Sequence, residues 1–304
     1  MVCVLKEESN TKWGIISGVL AYLLWGVLPF YWKAVGEVSP LSVLSYRIVW
    51  SFVFMVVVLL VTNKLTFFYQ EVMKLIRDKK RLIAIIFAAI LITVNWFIFI
   101  FSVSSGKVID ASLGYYMNPL VNVLLATLIL KERLNRGEIL ACALAAFGVV
   151  LLAVQSGHVP WSSLAMAITF SLYGLIKKIA QVDSLTGLTI ETALMAPFAF
   201  IYLVFFSVEG FMTFDLKINM LLVGAGVVTA IPLFLFAEAA KNISYVLVGF
   251  LQYIAPTLML IAAVFQFGET FSVPQLTAFS FIWLGIIIFT GTNIVVKKRE
   301  IRKN

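Results

Sequence analysis

ASLGYYMNPLVNVLLATLILKERLNRGEILACALAAFGVVLLAV, residues 111–154, reads as two apolar helices joined by a short charged turn. Shifted by 137 positions, the stretch meets a second copy of itself: Tyr116 falls on Tyr253, Pro119 on Pro256, Glu132 on Glu269 and Gly148 on Gly285. A repeat covering about half of a very apolar chain is far longer than the roughly 20–50 residues of a soluble solenoid unit. It is the mark of a duplicated, transporter-like bundle.

Composition agrees. With 62% hydrophobic and 12% charged residues, against about 25% charged in an ordinary soluble domain, the chain has too little polar surface to solvate a globule of 304 residues. It reads as an all-α integral membrane protein. The net charge of +8 does not point to nucleic acid, because the lysines and arginines occupy short gaps between apolar runs, as membrane flanks do. Cys3 and Cys142 stand in unrelated surroundings and show no disulfide or metal spacing.

Runs of roughly 17 to 24 apolar residues suffice to cross about 30 Å of hydrocarbon. Ten such spans are predicted, at 13–32, 39–61, 82–103, 109–130, 137–154, 161–180, 187–208, 219–240, 244–265 and 273–296. The loop after the second span, carrying Lys64, Lys74, Arg77, Lys79, Lys80 and Arg81, is the one with room for a surface helix. Alternating the spans from an inside N-terminus places 19 of the 23 lysines and arginines on the cytoplasmic side. It leaves Lys33, Lys107 and Lys217 on the other side and Arg47 within a helix. That bias predicts cytoplasmic termini.

Five spans per repeat is an odd number, so the second copy must enter the membrane from the opposite face. The expected architecture is therefore two inverted five-helix repeats, 13–156 and 157–296, with a polar tail at 1–12 and a basic one at 297–304. Gly26 matches Gly174, and VSPLSVLSYRI at 38–48 lies over VDSLTGLTIET at 182–192, which sets Arg47 on Glu191. Exchanging the conformations of two such halves converts an inward-open shape into an outward-open one.

Charges inside the membrane are the strongest site candidates. Arg47 lies about 12 Å from the outer face, reckoned at 1.5 Å per residue, where an unpaired charge costs about 2.5–3.5 kcal/mol. Glu191 reaches a similar depth from the other side. The two read either as structural, an ion pair or an Arg47 that snorkels to the surface, or as the lining of a hydrated cavity, with Arg47 taking an anionic part of a substrate and Glu191 a coupling proton. Asn95, Trp96, Tyr116, Asn118, Gln252 and Tyr253 are further pathway candidates, and each could equally hydrogen-bond across a helix contact. Tyr22 and Trp25 lie too deep for the interfacial aromatic belt and join the candidates. Tyr31 and Trp32, at the end of the same span, are expected in that belt. Glu238 and Lys241 are placed to pair on one helix face, and Glu132 and Glu269 are expected to shape loops.

Neither a P-loop nor a complete dinucleotide fingerprint is present, and the single histidine, His158, falls in an outer loop. No catalytic, cofactor or metal site is predicted, and the energy source for transport would be a gradient or a partner. Three classes were weighed: a secondary transporter, an intramembrane enzyme or lipid scramblase, and a membrane receptor or assembly subunit. The second needs a nucleophile with a base or a metal cluster, and the third an output domain; the repeat symmetry favours the first. The expected partners are a small molecule, protons and the bilayer, with oligomeric state left open.

The combination of SYRIVWS at 45–51, NWF at 95–97, DASLGYYMNPLVN at 110–122, KER at 131–133, IETALMAP at 190–197 and FLQYIAPTLM at 250–259 closely resembles the RarD group of the drug/metabolite transporter superfamily, whose shared unit is the EamA-type repeat. The resemblance runs from about Trp13 to Val295. It implies a ten-helix carrier of the bacterial inner membrane that exports small metabolites or amphipathic compounds, with proton coupling as an expected energy input. The family's link with chloramphenicol suggests a drug or aromatic metabolite. Tyr46 stands where a histidine commonly precedes the arginine, and Asp110 where glutamate is usual.

Overall fold

Every long apolar run becomes a helix, since backbone N–H and C=O groups in hydrocarbon must be satisfied within the segment. The structure, a computed structural model, describes residues 2–104, 108–155, 161–267 and 273–303. His158, Lys107 and Glu269 lie outside the described residues, as do the side chains of Cys3 and Asp110. The elements are α1 (Val2–Ala34), α2 (Pro40–Val61), α3 (Leu65–Arg77), α4 (Lys79–Ser104), α5 (Val108–Leu128), α6 (Arg136–Gln155), α7 (Trp161–Ala180), α8 (Ser184–Phe205), α9 (Leu216–Asn242), α10 (Tyr245–Gln252), α11 (Ile254–Phe267) and α12 (Val273–Lys303). Among the described residues, nine segments are long and apolar enough to cross a membrane, and α5 fills the remaining expected position at 109–130. The helix predicted in the basic loop is α3, in which only Leu75 is buried. Both polar tails are continuations of helix rather than separate segments.

Helix starts follow from capping chemistry. Asp183 accepts from Thr186 N at 3.0 Å ahead of α8, and Asp215 from Ile218 N at 2.8 Å ahead of α9. Asn135 and Glu138 form a reciprocal box at the start of α6, each side chain accepting from the other's backbone N–H at 2.9 Å. The predicted span at 244–265 is broken into α10 and α11 at Tyr253. Pro256 has no N–H to offer the Gln252 carbonyl, and the chain instead takes a tighter turn, Tyr253 N donating to Phe250 O at 3.3 Å. Its counterpart Pro119 is accommodated inside a continuous α5.

Most of the larger helix contacts recur when the expected halves are exchanged, although the α7–α9 contact has no mate of similar extent in α1–α4. The α1–α9 contact has its mate in α4–α7, α5–α7 in α1–α11, and α2–α9 in α4–α8, while α6–α12, α2–α8 and α5–α10 pair helices with their own counterparts. One pair of contacts shows this at atomic detail. A Cβ on Gly148 would meet the Ala278 carbonyl oxygen at 2.5 Å, and one on Gly285 the Ala141 carbonyl oxygen at 2.8 Å. The same shift of 137 positions relates 148 to 285 and 141 to 278. Only glycine lets the α6 and α12 backbones approach this closely. Gly226 plays the same part between α9 and α2, where its Cβ would lie 2.2 Å from the Trp50 carbonyl carbon.

Candidate functional site

Tyr173 and Lys177 are one helical turn apart on α7 and so share a face, which is turned toward α8. There the Lys177 ammonium donates to Glu191 Oε1 in a short contact, and the Tyr173 hydroxyl donates to Glu191 Oε2 at 3.2 Å. Both ends of the ion pair are buried, Lys177 at 5% and Glu191 at 3% exposure. In a low dielectric such a pair stands because each charge neutralises the other and the tyrosine fills a further acceptor position. Lys177 Nζ also lies 5.3 Å from the Tyr173 ring centre.

Glu191 borders a cavity of about 20 Å³ enclosed by α2, α4, α8 and α9, with Ser51, Thr93, Trp96, Thr192, Met195 and Leu233 among its walls. This is space on the scale of one water molecule. A substrate would require the walls to part.

Arg47 does not pair with Glu191. Its guanidinium lies over two indoles, 4.6 Å from the centre of Trp32 and 4.8 Å from that of Trp96, and its Nε donates to Thr229 Oγ1 at 3.0 Å. The ion-pair alternative raised by the repeat overlay is thereby corrected. Glu191 has a nearer cation in Lys177, and Arg47 is held by aromatic faces instead. Trp96 is common to the two places, touching Arg47 and walling the Glu191 cavity.

The remaining predicted residues divide into two groups. Tyr22 and Trp25 enter a buried aromatic cluster with Phe170, Tyr173 and Phe236, with ring centres 5.1 to 6.3 Å apart; through Tyr173 this cluster adjoins Glu191. Asn95, Tyr116, Asn118, Gln252 and Tyr253 sit at helix contacts. Asn95 Nδ2 donates to Met166 O at 2.8 Å, the Tyr116 hydroxyl to Pro256 O at 3.0 Å, and Asn122 Nδ2 to Gln252 Oε1 at 2.8 Å. Ser171 Oγ donates to the Asn118 backbone carbonyl at 3.3 Å, whereas the Asn118 Oδ1 and the Tyr253 hydroxyl are buried without a hydrogen-bond partner among the described residues, Tyr253 lying beside Phe250. Of the hydrogen-bonded residues, the helix-contact reading describes what they do here.

Four residues at the site escaped the sequence reading: Lys177, Tyr173, Trp32 and Thr229. Lys177 counted as a cytoplasmic flank, being three residues from the end of its span. A signal existed in the Lys177–Lys178 doublet, because adjacent helical residues point about 100° apart and both cannot reach the same surface. Trp32 was assigned to the interfacial belt, yet it covers Arg47. Tyr31 likewise turns inward, its hydroxyl donating to the Leu221 carbonyl.

Both ends of the bundle are fastened across the two halves. At one end Glu209 accepts from Ser39 N at 2.8 Å and Ser39 Oγ at 3.0 Å. Beside it the Tyr46 hydroxyl accepts from Met212 N at 2.6 Å and donates to Gly210 O at 3.3 Å. At the other end the Glu132 carboxylate caps α10, accepting from Tyr245 N at 2.8 Å and Val246 N at 3.0 Å. There the Lys178 ammonium also donates to the Ile243 carbonyl. Glu132 thus shapes a loop, as expected, and Glu238 and Lys241 pair at 3.6 Å.

The EamA-like transporter family matches residues 12–154. The transporter YojE of Bacillus subtilis is 41% identical over 96% of this chain and 98% of its own. Protein RarD of Escherichia coli is 35% identical over 96% of this chain and 99% of its own. A solved crystal structure has the same fold, with a TM-score of 0.70 at 19% identity, covering 93% of this chain and 96% of the other. The multi-pass helical bundle, together with full-length relatives at this identity, identifies the chain as a bacterial membrane transporter belonging to the RarD group of the EamA-type drug/metabolite transporter superfamily.

Proposed function

We propose that the chain is a secondary transporter of the bacterial inner membrane that exports small metabolites or amphipathic compounds by alternating access, with Glu191 carrying a coupling proton. The observation behind this reading is the buried Glu191 carboxylate, paired with Lys177 and Tyr173 and bordering a closed cavity at the junction of α2, α4, α8 and α9. A carboxyl that exchanges a proton and a cation within one buried pair can be reset by each conformational cycle. It accepts a proton where the cavity is hydrated and releases it when Lys177 closes on it. The titratable groups facing it are Lys177 and Tyr173, both on α7. The two fastened ends fit a shape closed on both sides, with the basic-rich end of the bundle facing the cytoplasm.

The test is transport in liposomes carrying the purified protein, screened by mass spectrometry for metabolites whose distribution follows an imposed pH gradient. The expected outcome is gradient-driven accumulation by the native chain and exchange without accumulation by Glu191→Gln. Gradient-driven accumulation of equal size in Glu191→Gln would remove the proton role.

A further inference from the structure

Building on the transporter reading, we propose that Arg47, Trp32 and Trp96 form the subsite for the carboxylate of a flat organic monoanion, and that the transported compounds are aromatic or similarly planar monocarboxylates.

Charge carries the first part of the argument. Lys177 is neutralised by Glu191, and Lys241 sits with Glu238. Among the described residues, no carboxylate partners Arg47, and the hydrogen bond it makes goes to the neutral Thr229 hydroxyl through Nε. Among the described residues, Arg47 is thus a charge deep in a span with no carboxylate set against it. A single anionic group matches it, a cation is repelled, and a neutral solute leaves it unmet.

Geometry carries the second. With Nε committed to Thr229, the Nη edge of the guanidinium is the part left for a ligand, and that edge fits the two oxygens of one carboxylate. A carboxylate held in this way lies in the guanidinium plane. A ring joined to it lies beside Trp32 and Trp96, whose ring centres are 4.6 and 4.8 Å from the guanidinium carbon, and gains aromatic contacts there. Trp96 also walls the Glu191 cavity, so a ligand seated on Arg47 touches the side chain through which the proton site would sense it.

The experiment measures heat unfolding of the purified full chain with benzoate, indole-3-acetate, their amides benzamide and indole-3-acetamide, acetate, and the cation tetraphenylphosphonium. The two aromatic carboxylates should raise the unfolding temperature at concentrations where their amides and the cation do not. Arg47→Gln should weaken that response about 10- to 100-fold, the loss of one charge-assisted bidentate contact. Should Arg47→Gln fail to fold, Trp96→Phe keeps the charge and should weaken indole-3-acetate more than acetate. Equal stabilisation by carboxylates and amides, unchanged carboxylate affinity in Arg47→Gln, or no response to either carboxylate overturns the proposal. Counterflow of neutral or cationic solutes in liposomes would then leave the transporter reading intact, whereas no exchange of any solute would end that reading as well.

Discussion

Glu191 is neutralised by Lys177, its neighbour across the α7–α8 contact, and not by Arg47, its counterpart in the other half of the chain. One charge in the interior is thus satisfied within the second half, while the other rests on two aromatic faces from the first.

Removing the Lys177 ammonium leaves the buried Glu191 carboxylate without its cation. Lys177→Met alone is expected to destabilise the protein by about 3–5 kcal/mol, and Lys177→Met combined with Glu191→Gln to recover most of that loss. Chemical or heat unfolding of the native chain and these two variants measures it. Proton-driven transport should not return with stability, because the double variant has no group to titrate.

The α6–α12 contact depends on its two related glycines. Gly148→Ala and Gly285→Ala each place a methyl against a carbonyl oxygen of the facing helix, at 2.5 and 2.8 Å, and each should cost about 1–3 kcal/mol. Gly291 on the same α12 has nothing within 4 Å of an added Cβ, so Gly291→Ala should leave the unfolding temperature unchanged. Similar losses at 148 and 285 with none at 291 would bear the symmetry out; a loss at only one of the pair would count against it.

Tyr46 fastens the Gly210–Met212 turn through its hydroxyl. Tyr46→Phe keeps the ring stacked on Phe211 at 5.6 Å and loses both hydrogen bonds, for an expected cost of about 1 kcal/mol, since the part-buried Met212 N–H loses its acceptor. Limited proteolysis should then cut near 206–215 sooner. Equal cutting rates would show that the turn is held by packing alone.

Much of the fold is legible in the sequence because the solvent enforces it. Apolar runs had to become helices, and the shift that matches Gly148 to Gly285 pairs two positions at which the structure shows mirrored close approaches. The break at Tyr253 was foreshadowed by Pro256, but nothing local distinguished it from Pro119, around which α5 stays continuous. The site was less legible. Arg47 and Glu191 stood out by depth, yet their partners depend on which way helices turn, and that is set by packing between distant segments. Lys177 looked like a flank from its position near a helix end, and the packing of α7 against α4, α5 and α9 is what buries it.

The most direct measurement of alternating access uses the two fastened ends. In a background carrying Cys3→Ser and Cys142→Ala, single cysteines are placed at Ser45, buried on α2, and at Ser17, buried on α1, and labelled in intact membranes. Glu209→Ala releases the Ser39 end and Glu132→Ala the α10 end. Halves that exchange conformations predict opposite responses: Glu209→Ala should speed labelling at Ser45→Cys and slow it at Ser17→Cys, and Glu132→Ala should do the reverse. Both sites becoming faster together, or each responding only to its own end, would contradict alternating access and leave a channel or a static bundle.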